Sequence, residues 1–262
     1  MVVANWKMYK TLREATEFLL NFPSQVAEIS PDQAEIVICP PFISLADLAR
    51  LMNDTPLILG AQNMHWEKEG AYTGEISPLM LESLGAKYVI IGHSERRSFF
   101  GEDDGIVHKK IEAAFAHSLS PILCIGENEE QFKSGQTNLV LKEQLFSALQ
   151  GLSPQQGREE RPFLATRLVV AYEPVWAIGT GNPATGETAS QVAAYIRSLL
   201  GELWGSAVAE EIRILYGGSV NPANILEFVA KSHIDGALIG GSSLQENNLA
   251  EMAKIVVAER RG

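Results

Sequence analysis

Apolar positions along this chain fall into two patterns that take turns. Short, uninterrupted, largely β-branched runs occupy residues 2–6, 35–39, 57–61, 88–92, 121–125, 168–172, 212–216 and 234–239. Runs of that kind read as strands covered on both faces. Between them lie longer stretches whose apolar residues return at helical spacing, at 11–22, 44–52, 78–84, 104–117, 138–149, 190–203, 224–230 and 248–258. Strict strand–helix alternation predicts a parallel sheet, and eight such units close most naturally into an α/β fold of the (β/α)8-barrel type, eight strands ringed by helices. The 262 residues match one such domain spanning 1–262, since barrels of this kind run to about 250 residues. Residues 151–167, rich in Gly, Pro, Gln and Arg, precede a strand and so read as a surface loop at the bottom of the barrel.

Composition narrows the functional classes. The formal charge of −11 argues against nucleic acid and anionic membranes as partners, because phosphate backbones need a basic face. No apolar run approaches the roughly 18 residues of a membrane span. Residues 1–7 lack the basic and then apolar pattern of a signal peptide. Cys39 and Cys124 stand far apart at the ends of apolar runs and read as two buried thiols of a cytoplasmic protein.

In a barrel the chemistry sits at the C-terminal strand ends. Strand one ends Asn5-Trp6-Lys7, and residues two apart on a strand share a face, so Asn5 and Lys7 point the same way. Strand four runs out through Gly92 into His93-Ser94-Glu95-Arg96-Arg97, where Ser94-Glu95-Arg96 resembles the start of a short helical turn. Strand six is followed by Glu173-Pro174, and a carboxylate just past a buried strand is costly unless paired, protonated or used. Strands seven and eight end in Gly217-Gly218-Ser219 and Gly240-Gly241-Ser242. Glycine turns at these two positions let backbone N–H groups approach a phosphate. Any one of these features has a bland structural explanation, but their coincidence on one rim does not follow from packing. A Lys about 4 Å from a phosphate is worth roughly 4 kcal/mol at an effective dielectric near 20, whereas exposed charges beyond about 8 Å are largely screened. Local groups therefore outweigh the diffuse negative charge.

The motifs N-W-K-M at 5–8, V-I-I-G-H-S-E-R-R at 89–97, A-Y-E-P-V-W-A-I-G-T-G at 171–181 and Y-G-G-S-V at 216–220 resemble those of the triosephosphate isomerase family. So do A-Q-N at 61–63, G-A-Y-T-G-E at 70–75, C-I-G-E at 124–127 and G-A-L-I-G-G at 236–241. The resemblance implies interconversion of dihydroxyacetone phosphate and D-glyceraldehyde 3-phosphate through an enediol(ate), in glycolysis and gluconeogenesis, with no cofactor and no metal. It implies Glu173 as base and His93 as the group that polarises the carbonyl, in a family that is itself a standard worked case of such chemistry. Asn5 and Lys7 are implied to bind the substrate oxygens and the developing negative charge. Gly179, Ser219, Gly240 and Gly241 are implied to bind phosphate through backbone N–H groups. Glu95 and Cys124 lie near the site in the family. Residues 174–181 correspond to a mobile lid, for which the family is again a standard case. The family is homodimeric, and the loop at 62–75 inserts beside the neighbour's active site; Thr73 then meets the partner's Asn5 and His93 region, and Glu75 pairs with Arg96. The apolar and aromatic content of that loop, in Met64-His65-Trp66 and Ala71-Tyr72, independently suggests that something covers it.

The chain departs from the family pattern by opening inside strand one, at Tyr9-Lys10 where Asn-Gly is frequent, and at Asn182 where Lys is common. Two other readings compete. A different phosphate-binding barrel enzyme, such as a sugar-phosphate or amino-acid-biosynthetic isomerase, would share the glycine turns but not need the E-P-V-W segment. A non-enzymatic barrel would not need Asn5, Lys7, His93 and Glu173 together.

Overall fold

The computed structural model describes residues 1–152, 167–178 and 184–259. Eight parallel strands close in chain order: β1 (Val2–Asn5), β2 (Ile36–Cys39), β3 (Leu57–Ala61), β4 (Tyr88–Ile91), β5 (Ser120–Ile125), β6 (Val169–Tyr172), β7 (Arg213–Tyr216) and β8 (Gly236–Ile239), with β8 returning to pair with β1. Each predicted strand is present within a residue or two. Alternation of side chains builds two cores. Val3, Val37, Ile90, Ile122, Val169 and Leu238 point into the barrel, while Val2, Ala4, Ile36, Ile38 and Val89 pack outward against the helices. This two-sided burial is why the strands read as unbroken apolar runs.

Helix limits differ from the periodicity where caps decide them. The first helix is Leu12–Gln25 rather than 11–22. Thr11 caps it through a box with Glu14, and it runs on past Pro23 into a last turn with no apolar signal. The helix expected at 190–203 begins at Gly186, because Thr185 caps it and the Gly186 N–H donates to Glu227 Oε1 at 2.6 Å. A Cβ on Gly186 would meet the Glu227 carbonyl oxygen at 2.5 Å, so that start depends on glycine. Short helices Ser94–Phe100, Glu129–Lys133 and Ser206–Glu211 fall below what periodicity detects. Of the loop expected at 151–167, residues 153–166 lie outside the described residues, as does Asn182.

The departure at Tyr9-Lys10 has a local account. Lys10 takes φ +68, a left-handed conformation that disfavours side chains. Its ammonium lies over the rings of Trp6 at 5.4 Å and Phe18 at 4.9 Å, contacts worth about 0.5–1 kcal/mol each.

At the N-terminal end, the barrel is closed by a charge cluster. Glu35 accepts from Lys87 Nζ at 2.9 Å, from the Tyr88 hydroxyl at 2.7 Å and from Arg213 Nη1. Arg213 Nη2 donates in turn to the Tyr88 oxygen at 2.8 Å. Burial would raise the Glu35 carboxyl, but these donors bring it down to about 2, and burial lifts the Tyr88 hydroxyl to about 12.

Candidate active site

The opposite mouth of the barrel collects the polar strand ends. Lys7 leaves β1 with φ +52, a strained conformation of the kind that persists where surroundings over-determine it. Its N–H donates to Asn5 Oδ1 at 3.1 Å, and the Gln62 amide donates to its carbonyl at 2.9 Å. The Lys7 ammonium meets Glu95 Oε1 at 2.6 Å. Gly92 takes φ +73 at the end of β4 and turns the chain so that His93 becomes the N-cap of Ser94–Phe100. His93 Nδ1 accepts the Glu95 N–H at 3.2 Å. That nitrogen therefore carries no proton, and the ring proton of a neutral imidazole sits on Nε2.

Glu173 follows β6 and is 2% exposed. Its Oε1 lies 3.0 Å from His93 Nε2, and its Oε2 accepts the Ser94 N–H at 2.9 Å. Burial pushes the imidazole down, but the adjacent carboxylate outweighs it and raises His93 above its ordinary value. Burial likewise raises Glu173, yet His93, the Ser94 N–H and Lys7 together hold it below the usual carboxylate range.

These groups border a cavity of about 240 Å³. Asn5, Lys7, His93 and Glu173 form one side; residues 217–220 and 240–242 form the other. Among the candidate residues, Asn5, Lys7, His93, Glu173, Ser219, Gly240 and Gly241 are thus brought together. Ile178 also lines the cavity, whereas Gly179 lies outside the described residues. Glu95 reaches the site through Lys7. Cys124 is fully buried inside the barrel; burial first, and the Glu173 carboxylate second, push its thiol well above the ordinary range, so it is an inert neighbour.

Glu127 ends the C-I-G-E stretch at 124–127. It is fully buried, and its Oε1 accepts from Trp176 Nε1 at 2.8 Å and from the Tyr172 hydroxyl at 3.1 Å. Oε2 is buried with no partner among the described residues, and burial raises the carboxyl. It stands just past β5 as Glu173 stands just past β6, so the rule that found one carboxylate applies equally to the other. Trp176 also stacks on Phe132 with centroids 4.3 Å apart.

The loop at 62–75 divides. The expectation that Met64 and His65 need an outside cover is corrected: both are buried on their own barrel. Trp66 stacks on His65 with centroids 4.1 Å apart, and the tilted Tyr72 ring lies 4.3 Å from it. Thr73 and Glu75 are exposed. Arg96 Nε donates to Glu102 of its own chain, so any contact with Glu75 of a second copy would add to an existing ion pair. Met8, Tyr9, Tyr72, Phe99 and Phe100 remain exposed on the segments after β1, β3 and β4.

Fold and cavity together put the chain among (β/α)8-barrel enzymes whose strand-end groups face a phosphate-type glycine rim. The family model described as triosephosphate isomerase matches residues 1–256. The chain is 50% identical over 256 residues to triosephosphate isomerase of Dictyoglomus turgidum, covering 97% of this chain and 98% of that protein. It is 49% identical over 256 residues to the Dictyoglomus thermophilum protein of the same name, with the same coverage. Against that of Chloroflexus aurantiacus it is 49% identical over 245 residues, 94% of each chain. The chain belongs to the triosephosphate isomerase family.

Proposed function

We propose that Glu173 is the base with which this enzyme interconverts dihydroxyacetone phosphate and D-glyceraldehyde 3-phosphate through an enediol(ate), in glycolysis and gluconeogenesis. The observation that carries this is the buried Glu173–His93 pair at the edge of a cavity whose far wall is two glycine turns. Phosphate lies against the N–H groups of Ser219, Gly240 and Gly241, with Gly179 contributed by the lid at 174–181. Asn5 and Lys7 bind the substrate oxygens and offset the enediolate charge. The carbonyl oxygen takes the place on His93 Nε2 that Glu173 Oε1 holds in the free site, which releases the carboxylate toward the adjacent carbon. Glu173 takes a proton from that carbon while His93 protonates the carbonyl oxygen. His93 then regains a proton from the neighbouring hydroxyl, and Glu173 returns its proton to the other carbon. The proton count balances, and no electrons leave the substrate.

The same exchange sets the charge of His93. When Glu173 moves onto the substrate, the main group that raised the imidazole goes with it. Burial, the largest influence, then prevails and favours the neutral ring, with Nδ1 still occupied by the Glu95 N–H.

The reading extends to a homodimer of single-domain 1–262 barrels, with Thr73 of one copy beside Asn5 and His93 of the other and Glu75 against Arg96. The exposed side chains of Met8, Tyr9, Tyr72, Phe99 and Phe100 support it. A cytoplasmic location is supported by two free, buried cysteines; among the described residues no helix is long and apolar enough to cross a membrane.

Glu173→Gln tests the base. The amide is nearly isosteric but accepts no proton, so kcat should fall by at least about 10²-fold while inhibition by inorganic phosphate is unchanged. A variant keeping more than about a tenth of wild-type kcat removes the assignment.

A further inference from the structure

The backbone of Glu173 takes its position from the strand beside it. At the end of the β5–β6 ladder Ile125 pairs with Tyr172, so Gly126 comes opposite Glu173. Glu173 N donates to Ile125 O at 2.8 Å, and Val175 N donates to Glu127 O at 3.1 Å, bracketing Gly126. Between them the two chains close so tightly that a Cβ on Gly126 would lie 1.7 Å from the Glu173 carbonyl oxygen. Glycine at 126 is therefore what allows the base its backbone position.

Gly126 bonds through both of its own backbone polar groups to one side chain. Its N–H donates to Gln144 Oε1 at 2.8 Å, and its carbonyl accepts from Gln144 Nε2 at 3.2 Å. Only one orientation of the amide satisfies both bonds. Gln144 projects from the helix Thr137–Leu149, on the outer layer of the barrel. A cavity of about 230 Å³ lies alongside, bordered by Gly126, Gln144 and Glu173. On the cavity side Gly126 is held by these two hydrogen bonds rather than by packing. We infer that Gln144 is a positioning residue for the base: it pins Gly126, and Gly126 pins the backbone of Glu173. The inference rests on the reading of Glu173 as base.

The chemistry demands such precision, because a misplacement of about 1 Å can cost about 10²-fold in rate. Gln144→Ala should lower kcat by about 10–100-fold. KM and the inhibition constant for inorganic phosphate should stay within about twofold, because the phosphate groups stand on the β7 and β8 turns. Gln144→Glu is the sharper test. Its carboxylate can accept from the Gly126 N–H but cannot donate to the Gly126 carbonyl; the protonated acid can do both. Its kcat, divided by wild-type kcat at the same pH, should rise as pH falls toward the carboxyl range near about 4.3. The corresponding ratio for Gln144→Ala should stay flat. Wild-type kcat in Gln144→Ala, equal losses of kcat and phosphate affinity, or a flat ratio for Gln144→Glu would each overturn the inference. If Gln144→Ala does not fold, the Gln144→Glu profile decides alone. An active Glu173→Gln removes the underlying base reading; an inactive Glu173→Gln beside a fully active Gln144→Ala removes only the positioning role.

Discussion

Replacing Glu35 with Gln removes the charge around which the N-terminal mouth of the barrel is organised. Burial opposes the Glu35 carboxylate, yet Lys87, Tyr88 and Arg213 bring its pKa from 4.5 to about 2. That gap corresponds to about 3.4 kcal/mol. The Lys87 side chain is 54% exposed, and solvent screens its share, so about 2 kcal/mol is the expected contribution. The folded value lies below the unfolded one. The stabilisation is therefore complete above about pH 4.5 and is lost as pH falls toward about 2, with about two-fifths gone by pH 3.5. Glu35→Gln keeps the shape and lacks the charge. Urea unfolding at fixed protein concentration should show it about 2 kcal/mol less stable than wild type at pH 7 and about 1.2 kcal/mol less stable at pH 3.5. Its kcat at pH 7 should stay within about twofold of wild type, because the cluster is at the end of the barrel remote from the chemistry. A stability difference that stays constant from pH 7 to 3.5 would refute the electrostatic account and leave only shape and hydrogen bonding.

Thr73→Arg should give a folded monomer with kcat reduced by about two orders of magnitude, the scale of a roughly 1 Å misplacement; a monomer with full activity by sedimentation and coupled assay refutes the shared site. Trp176→Phe keeps a ring to stack on Phe132 and removes the donor to Glu127. Losing that buried hydrogen bond, about 1 kcal/mol, should change kcat/KM by up to about fivefold if residues 174–178 close over the substrate, and unchanged kcat and KM would refute a role for the Trp176–Glu127 bond in the reaction.

The strands were legible because burial on both faces leaves no polar position to blur the run, as in Val2–Asn5 and Ile36–Cys39. Helix starts were less so. Thr185 begins its helix four residues before the first apolar repeat is evident, and its cue is a hydrogen bond rather than a pattern. At the site, Glu173 and His93 stood out because a polar group directly after a buried strand needs a reason. Gln144 gives no such signal. A polar residue in the middle of a helix between apolar neighbours gives no functional cue, and only the fold brings its amide to Gly126. For the 62–75 loop, composition marks a need for cover but not that Met64 and His65 find it on their own barrel, with Trp66 and Tyr72 against the His65 ring.

The two mouths of the barrel hold a buried carboxylate in opposite ways, and the contrast bears on the proposed role of Glu173. Glu35 is held by three side chains, of which Arg213 and Tyr88 also bind each other. A ligand would have to break a closed network to displace it. Glu173 is held by one imidazole nitrogen and one backbone N–H, the imidazole bordering the active-site cavity and Ser94 the neighbouring one. On the proposed reading of Glu173 as base, a substrate oxygen offered to His93 Nε2 would replace one of these bonds with another of the same kind, so that releasing the carboxylate would cost little. Lys7 follows the same logic. Its backbone is locked at φ +52 by the Asn5 and Gln62 side chains, while its ammonium rests on the half-exposed Glu95, an ion pair of the kind worth about 1 kcal/mol or less. Rigid placement of the backbone with exchangeable partners at the charged tip lets the site bind an anion without first being rebuilt.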